Sequence, residues 1–498
     1  MKPSRSSNFI LAIDQGTTGT RALLYDIRGR IAGSAYQEFR QHYPRPGWVE
    51  HDALEIFRST LKVISQALTR AWASSSQIVA IGITNQRETT VLWDKKTGRP
   101  VSRAIVWQDR RTAELCEKLK SRGFESFFRN RTGLVLDPYF SGTKIRWLLD
   151  EFAGLKRRAD RGDILFGTID TWLLWNLTGG KAHATDATNA SRTLLLNLKK
   201  AAWDPEILKL LKIPRAILPE VHASAFSYGR TAAIGPLVKG IPISALVGDQ
   251  QGALYGQGCY RMGEMKNTYG TGCFLVMNEG KHYRLPTEGL LGTLACDDQG
   301  KPVYALEGAV FIAGAAVQWL RDGLGLIRKA QETEKIALRL KDTGGVVVVP
   351  AFVGLGAPHW NPNVRGAIFG LTRGTRREHL IKATLDSIAY QTADVFEAMS
   401  RAIGKRPRYL KVDGGAAANN YLMQFQADLL GVPVLRSDQT ESTAWGAAKL
   451  AGVASGFWKN VKKVDRFRYY RKFLPRMGPA ERSKKISSWR EAVDKLLH

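Results

Sequence analysis

The chain has 498 residues, of which 44% are hydrophobic and 24% charged, values that exclude a disordered protein. This length exceeds what one hydrophobic core supports, so we expect two large domains. The 73 Lys and Arg against 45 Asp and Glu give a net charge of +28, which could attract polyanions. The most basic stretch is the C-terminal tail, where Ile486, Trp489 and Val493 recur at helical spacing. This pattern predicts a docked amphipathic helix with solvated charges, so we expect no specific nucleic-acid binding.

Membrane and export functions are also disfavoured. No apolar stretch reaches the ~18–20 residues needed to cross a bilayer, and the first apolar run, residues 9–13, ends at Asp14. The four cysteines have no Cys-x-x-Cys spacing, which argues against zinc and against a disulfide framework. We therefore expect a cytoplasmic protein with no membrane insertion.

Two segments share one pattern, in which an apolar strand enters a glycine turn rich in hydroxyls and leaves as a second strand. They are residues 9–25 (FILAIDQGTTGTRALLY) and residues 265–277 (MKNTYGTGCFLVM). The repetition predicts a duplicated architecture with a glycine-rich hinge at residues 255–263. We accordingly divide the chain into domains 1–256 and 257–498.

Between these hairpins the sequence alternates strand and helix patterns. Residues 77–84 and 89–93 are predicted strands that flank a turn at 85–88, and helices are predicted at 111–122 and 143–151. In the second half, helical spacing covers 380–399 and 419–430, the latter ending at Gly431. Strands alternating with helices in both halves predict an α/β class with mixed sheets.

Three loops carry the chemistry that phosphate groups require. Residues 14–21 (DQGTTGTR) combine backbone N–H donors and hydroxyls with the carboxylate of Asp14, which could hold Mg²⁺ through its waters. Residues 269–274 (YGTGCF) offer similar donors, and residues 412–420 (VDGGAAANN) place a diglycine just before a helix. The sequence has neither a Walker-type Gly-Lys-Ser/Thr nor a dinucleotide Gly-x-Gly-x-x-Gly. Nucleotide binding must therefore use a different architecture.

These loops, together with residues 139–147 (YFSGTKIRW) and 366–380 (GAIFGLTRGTRREHL), resemble the FGGY carbohydrate kinases over nearly the whole chain. The resemblance implies a two-domain actin-like ATPase fold, a duplicated ribonuclease H-like α/β architecture that closes a central catalytic cleft over ATP and Mg²⁺. Residues 82–90 (GITNQRETT), 104–112 (AIVWQDRRT) and 248–257 (GDQQGALYGQ) resemble the family members that phosphorylate glycerol to sn-glycerol 3-phosphate.

The acceptor site is expected at Arg87 and Glu88, which place a fork of donors beside a two-oxygen acceptor and could pair with hydroxyl groups. Adjacent opposite charges on a surface turn are, however, more often a solvated pair. The aromatic residues Trp107, Tyr139 and Phe274 could cover the carbon edge of the acceptor, although ordinary core packing would use them as well.

Asp249 follows an apolar strand at residues 243–247 and is the expected general base, with Gln250 beside it as a further substrate contact. A carboxylate here could instead cap the following helix. We expect Asp14 and Asp249 to serve the metal ion and Arg21 to lie near the transferring phosphoryl group. The resemblance implies that nine residues contact ATP: Thr17, Thr18, Gly19, Arg21, Thr271, Gly314, Gln318, Gly415 and Asn419.

Two other functions remain open at this point. The phosphate machinery does not fix the acceptor, so a longer polyol or a ketose such as xylulose is an alternative to glycerol. A non-catalytic, nucleotide-gated binding protein is the second alternative, because the same fold also serves chaperones and filaments. With glycerol and ATP as partners, we expect a homodimer or homotetramer.

One departure from the family generates a prediction about regulation. Family members that fructose bisphosphate inhibits carry a Gly-Gly-Thr-Arg loop ahead of a strand like residues 241–244 (IPIS), whereas residues 235–240 here read GPLVKG. Lys239 replaces the arginine with a point charge that cannot make bidentate phosphate contacts. We predict little or no inhibition at moderate salt, measured as inhibition curves at two ionic strengths. Saturable inhibition that survives the higher salt would contradict this prediction.

Overall fold

The computed structural model describes residues 8–437, 441–460, 464 and 470–498. Its strands, numbered along the chain, are β1 (Phe9–Gln15), β2 (Gly19–Tyr25), β3 (Ile31–Glu38), β4 (Gln41–His42), β5 (Glu50–His51), β6 (Ile78–Asn85), β7 (Val91–Asp94), β8 (Ala104–Ile105), β9 (Ile164–Gly167), β10 (Ala184–Asp186), β11 (Leu196–Asn197), β12 (Ala202–Trp203), β13 (Glu220–His222), β14 (Ala225–Arg230), β15 (Pro242–Gly248), β16 (Met265–Tyr269), β17 (Cys273–Gly280), β18 (Leu291–Cys296), β19 (Pro302–Val310), β20 (Val347–Val349), β21 (Ala367–Phe369), β22 (Leu410–Asp413), β23 (Val434–Ser437) and β24 (Tyr470–Phe473).

The α-helices are α1 (Ala53–Ala71), α2 (Ala113–Ser121), α3 (Glu125–Thr132), α4 (Ser141–Glu151), α5 (Leu155–Asp160), α6 (Ile169–Leu177), α7 (Ala187–Ala190), α8 (Pro205–Leu210), α9 (Asp249–Gly256), α10 (Gly314–Gln318), α11 (Glu332–Arg339), α12 (Arg377–Ile403), α13 (Asn420–Leu430), α14 (Ser442–Ala454) and α15 (Pro479–Leu497). Trp319–Gly323 forms a π-helical turn, and 3₁₀ turns occupy Ser75–Gln77, Arg215–Ile217 and Gly415–Ala418. The predicted helices at 111–122, 143–151 and 419–430 are confirmed as α2, α4 and α13. Asn419 caps α13 by accepting the Leu422 N–H, and Gly431 ends it at φ 63°.

Two large mixed sheets organise the molecule. The first has six strands in the order β14-β15-β6-β1-β2-β3, and the second has seven in the order β18-β19-β17-β16-β22-β23-β24. In the first, β1, β6 and β15 run parallel, so their carboxyl ends meet at one edge. Asp14 lies near the end of β1, and Asp249 follows β15 directly. The strand order therefore brings both expected metal ligands to the same edge.

The second sheet repeats the first strand by strand. Hairpin β16–β17 corresponds to β1–β2, the antiparallel neighbour β19 to β3, and the parallel strands β22 and β23 to β6 and β15. Each sheet then adds an antiparallel strand, β24 or β14, and the second has β18 as an extra edge. The predicted duplication and the two-domain α/β fold are confirmed.

Helices α9 and α14 meet backbone to backbone. A Cβ added at Gly446 would lie 1.9 Å from the carbonyl oxygen of Gly252, and one added at Gly256 would lie 1.9 Å from the carbonyl oxygen of Ser442. Although α14 comes late in the chain, its Ala444 and Ala447 share a buried core with Ile10 and other residues of the first sheet. A helix from the second half of the sequence therefore packs on the first sheet and on the helix that begins with Asp249.

The basic C-terminal tail ends in the predicted helix, α15, whose Trp489 and Val493 are buried. Trp489 donates a hydrogen bond to Asp394 Oδ2 at 2.6 Å, so the helix is docked. All four cysteines are buried and unpaired, and burial raises the pKa of the Cys116 and Cys273 thiols to about 12 and of Cys259 to about 11. No helix within the described ranges is long and apolar enough to cross a membrane.

The glycine contact predicts a large effect from a single methyl group. Gly446→Ala would force α14 away from α9, because backbone atoms cannot rotate aside as a side chain can. We expect unfolding to become easier by ~1–3 kcal/mol or more, seen as a lower thermal transition. Gly478→Ala is the matched control, since a Cβ there meets nothing within 4 Å. Equal transitions for the two variants would contradict the packing described here.

Candidate active site

Asp249 stands where β15 ends and α9 begins. Gly248 is the N-cap residue of α9, so the alternative use of Asp249 as the cap is wrong. Its Oδ1 accepts a hydrogen bond from the Gln250 backbone N–H at 2.7 Å and lies 3.2 Å from Arg87 Nε. The side chain is 28% exposed, which leaves the carboxylate accessible to a substrate proton.

Arg87 and Glu88 belong to a buried ion cluster. Arg87 Nη1 donates to Glu307 Oε2 at 2.5 Å, Arg192 Nε donates to Glu88 Oε1 at 2.6 Å, and Arg192 Nη2 lies 2.9 Å from Glu307 Oε1. The interpretation of Arg87 and Glu88 as a solvated surface pair is wrong, because each side chain is only 2% exposed. Burial opposes the charge of Arg87, but Glu307 and Glu88 raise its pKa well above the usual value. The backbone of Glu88 at φ 61° lies in the left-handed region.

The three predicted aromatic residues form one wall. The Trp107 ring centroid lies 5.6 Å from that of Tyr139 and 6.4 Å from that of Phe274, both at steep interplanar angles. Trp107 Nε1 donates a hydrogen bond to Thr17 Oγ1 at 2.9 Å. Phe274 belongs to the second sheet and Trp107 to the first half, so the wall bridges the two halves and contacts the first glycine loop.

A cluster of carboxyl groups surrounds the end of β1. Asp14 faces Arg21 across the β1–β2 hairpin, and Arg21 forms an ion pair with Glu441 while its guanidinium stacks 5.1 Å from the Tyr36 ring centroid. Burial raises the pKa of Asp14 to about 7, and the negative charges of Glu441 and Asp249 add to the shift. The excess negative charge suits a divalent cation.

Mg²⁺ usually keeps several waters and uses only one or two carboxylates together with phosphate oxygens. The described part of the chain has no group of three or more His, Cys, Asp or Glu arranged to hold a metal. As oxygen donors, the carboxylates of Asp14 and Asp249 are of the chemical type that Mg²⁺ binds together with a nucleotide.

A cavity of about 340 Å³ opens beside the second sheet. It is lined by five of the nine predicted nucleotide residues, namely Thr271, Gly314, Gln318, Gly415 and Asn419. Gly314 is required by packing, since a Cβ would lie 2.5 Å from the Gly270 carbonyl oxygen, whereas a Cβ on Gly415 would meet nothing within 4 Å. Of these two glycines, only Gly415 has space for an added Cβ beside the cavity.

The other four predicted nucleotide residues do not line this cavity. Thr17, Thr18, Gly19 and Arg21 lie in the β1–β2 hairpin next to Asp14. Gly19 packs against Tyr36, whose ring atoms would lie 2.6 Å from an added Cβ. The structure thus divides the nine residues into a group at the cavity and a group at the carboxyl cluster.

The sequence analysis missed four charged residues of this site: Arg192, Glu307, Glu441 and Lys266. Lys266 Nζ donates to Gln250 Oε1 at 2.5 Å and to Thr268 Oγ1 at 2.8 Å, and burial lowers its pKa to about 8. It thereby holds Gln250, the predicted neighbour of the base. Lys266 and Glu307 each interrupt a strand of mostly buried residues, and this signal could have identified them.

Comparison with known proteins agrees with this geometry. The model of the N-terminal domain of the FGGY family of carbohydrate kinases matches residues 9–256, and that of the C-terminal domain matches residues 265–455. The chain belongs to the FGGY family of carbohydrate kinases.

Individual members of the FGGY family are similar over nearly their whole length. Glycerol kinase 2 of Thermotoga maritima is 55% identical, with 98% of this chain and 99% of the relative covered. The glycerol kinase of Trichlorobacter lovleyi is 56% identical, with 98% of each covered. The crystal structure of Plasmodium falciparum glycerol kinase with ADP superposes with a TM-score of 0.93 at 36% identity, covering 99% of both chains.

Gly415 gives a test of the nucleotide site, because it lines the cavity and an added Cβ would meet nothing within 4 Å. Gly415→Leu adds bulk at this lining position, so the KM for ATP should rise at least ~10-fold, equivalent to ~1.4 kcal/mol, with little change in thermal unfolding. Gly478→Leu, on another glycine with open surroundings, should change neither quantity. An unaltered KM for ATP in Gly415→Leu would mean that the nucleotide binds elsewhere.

Proposed function

We propose that this FGGY kinase transfers the γ-phosphoryl group of ATP to glycerol and releases sn-glycerol 3-phosphate and ADP. The observation that carries the proposal is the buried ion cluster in which Arg87 and Glu88 lie beside Asp249, with the ring centroid of Tyr139, a member of the aromatic wall, 5.4 Å from Arg192 Cζ. These groups offer charged partners to hydroxyl groups and an apolar surface to a short carbon edge. The glycerol kinases that are 55% and 56% identical to this chain support the same acceptor.

In the proposed reaction, Arg87 and Glu88 orient the acceptor so that one hydroxyl oxygen faces the γ-phosphorus. Gln250 supplies a further contact. The oxygen forms its bond to phosphorus in line as the bond to the β–γ bridging oxygen breaks, and ADP leaves. Asp249 accepts the hydroxyl proton, and Arg87, 3.2 Å from its Oδ1, stabilises the carboxylate before that transfer. Trp107, Tyr139 and Phe274 exclude water from the acceptor.

For the nucleotide, we propose that Thr271, Gly314, Gln318, Gly415 and Asn419 hold the nucleoside end in the cavity. Thr17, Thr18, Gly19 and Arg21 would then contact the phosphates, with Arg21 leaving Glu441 to do so. Asp14 and Asp249 are the proposed ligands of Mg²⁺, which when bound would offset phosphate charge. We also propose that the chain divides into domains 1–256 and 257–498, a division supported by the two family models that match residues 9–256 and 265–455.

We further propose that the protein assembles as a homodimer or homotetramer and works in the cytoplasm. We expect no specific nucleic-acid binding. Size-exclusion chromatography with light scattering would measure the assembly directly.

The choice of acceptor is tested by ADP release with glycerol, dihydroxyacetone, xylulose or no acceptor. We expect glycerol to give the highest kcat/KM. A higher value for xylulose would assign the protein to the ketose kinases of the family, and no acceptor-dependent ADP release would support the non-catalytic alternative.

The role of Asp249 is tested by Asp249→Asn, which removes the proton acceptor without changing volume. Turnover at saturating glycerol should fall by ~10²–10⁴-fold, while ATP binding and thermal unfolding persist. Asp160→Asn is the control, because Asp160 lies on the surface and, among the residues that the structure describes, forms an ion pair with Lys156 one helical turn away. Wild-type turnover in Asp249→Asn would remove this residue from the mechanism.

A further inference from the structure

Glu307 reaches the acceptor site from the second half of the molecule. It is the only charged residue of β19, where it faces Val276 of β17 and Leu291 of β18. Its carboxylate, fully buried, contacts two arginines of the first half: Arg87 at 2.5 Å and Arg192 at 2.9 Å. One carboxylate of the second sheet thus fixes two guanidinium groups across the boundary between the sheets.

Glu307 is the nearest charged partner of Arg87 and, after Glu88, the second charged partner of Arg192. Apart from Glu307, Arg87 lies 3.2 Å from Gln251 Oε1, 3.2 Å from Asp249 Oδ1 and 3.9 Å from Glu88 Oε1, and a reacting Asp249 loses its charge. Arg192 donates a hydrogen bond from Nε to Glu88, while its buried Nη1 and Nη2 have no hydrogen-bond partner among the described residues, so its contact with Glu307 is an ion pair without a hydrogen bond. The orientations of Arg87 and Glu88 therefore both depend on Glu307, directly in one case and through Arg192 in the other.

Burying a carboxylate costs several kcal/mol unless charged partners replace the lost water. Burial opposes the charged form of Glu307, yet Arg192 and Arg87 keep its pKa below the usual value. Both arginines thus favour the ionised carboxylate. Equally, the arginines would lose their shared acceptor if the second sheet moved away.

We propose that Glu307 is a positioning residue of the acceptor site, which aims Arg87 and, through Arg192, Glu88 at the acceptor hydroxyls only when the second sheet is docked. The inference rests on the proposed function, since it names the residue that orients Arg87 and Glu88, the side chains proposed to bind glycerol. It makes acceptor affinity depend on a residue that lies in the other half of the molecule. ATP affinity does not depend on it, because the cavity residues lie elsewhere.

The test is Glu307→Gln, which keeps the shape of the side chain and removes its charge. Loss of the charge-assisted hydrogen bonds to Arg87 and of the ion pair with Arg192 should raise the KM for glycerol ~10–100-fold, with the KM for ATP changed less than ~2-fold. Glu279→Gln is the matched control, because Glu279 is also buried on the second sheet, in β17. The control should leave the KM for glycerol unchanged.

A second pair of variants separates positioning from charge balance. Arg192→Lys keeps the positive charge, but one ammonium cannot bridge Glu88 and Glu307 as the guanidinium does, so the KM for glycerol should rise here too. The double variant Glu307→Gln with Arg192→Gln restores the charge balance and should still bind glycerol weakly. Recovery of the wild-type KM in the double variant would show that Glu307 only balances charge and would overturn the inference.

Failure of the inference and failure of the proposed function give different results. If the wild-type protein does not phosphorylate glycerol, the proposed function fails, and the same KM comparison is made with the acceptor that it does use. If the wild-type protein phosphorylates glycerol and Glu307→Gln has the same KM, the inference alone fails. If Glu307→Gln does not fold, Glu307→Asp decides the question by the same split between the two KM values, because it keeps the charge but withdraws the carboxylate from both arginines by one methylene.

Discussion

The bond between Arg87 and Glu307 is the interaction on which the rest of the site depends. A guanidinium and a carboxylate that are both removed from water must satisfy each other, because an unpaired buried charge would cost several kcal/mol. Arg87 lies in the turn that follows β6 of the first sheet and Glu307 lies in β19 of the second, so their pairing links the two halves of the molecule. Under the proposed function, docking of the two halves would also assemble the acceptor site.

The ends of the parallel strands determine the positions of other residues of the site. Asp14 and Asp249 lie at one edge of the first sheet, while the cavity and the residues of the second glycine loop belong to the second sheet. Helix α9 carries Asp249, and its glycine face rests on α14 without intervening side chains. The position of the proposed catalytic carboxylate is consequently set by backbone packing with a helix almost 200 residues later in the sequence, where Gly446 faces Gly252.

Local patterns predicted the elements well because they depend on near neighbours. Both hairpins, the helices at 113–121 and 141–151 and the capped helix ending at Gly431 were readable from alternation, helical spacing and glycine. The glycine loops and the three aromatic residues were also identified from the sequence. The family resemblance favoured their functional interpretation over a structural one, and that interpretation stays a prediction.

The missed features depend on long-range geometry. Arg87 and Glu307 are 220 positions apart, and Arg192 and Glu88 are 104 apart, so no window of sequence contains either pair. The turn at Arg87 and Glu88 looked solvated for the same reason, since the partners that compensate its burial lie far along the chain. The packing of α14 on the first sheet could not be predicted either. The small alanine and glycine side chains of α14 indicate that another element packs closely against it, but they do not indicate which element.

The buried cysteines have a practical consequence for measuring how the two sheets move. Thiols at Cys116, Cys259 and Cys273 that are inaccessible and deprotonate only near pH 11 to 12 react slowly with maleimides at neutral pH, because the thiolate is the reactive species. Cys296 is also buried, and burial raises its pKa further. Fluorophores can therefore be attached to cysteines introduced on the surface of each half without first removing the native ones, so energy transfer between the dyes would report opening and closing in the otherwise unaltered enzyme.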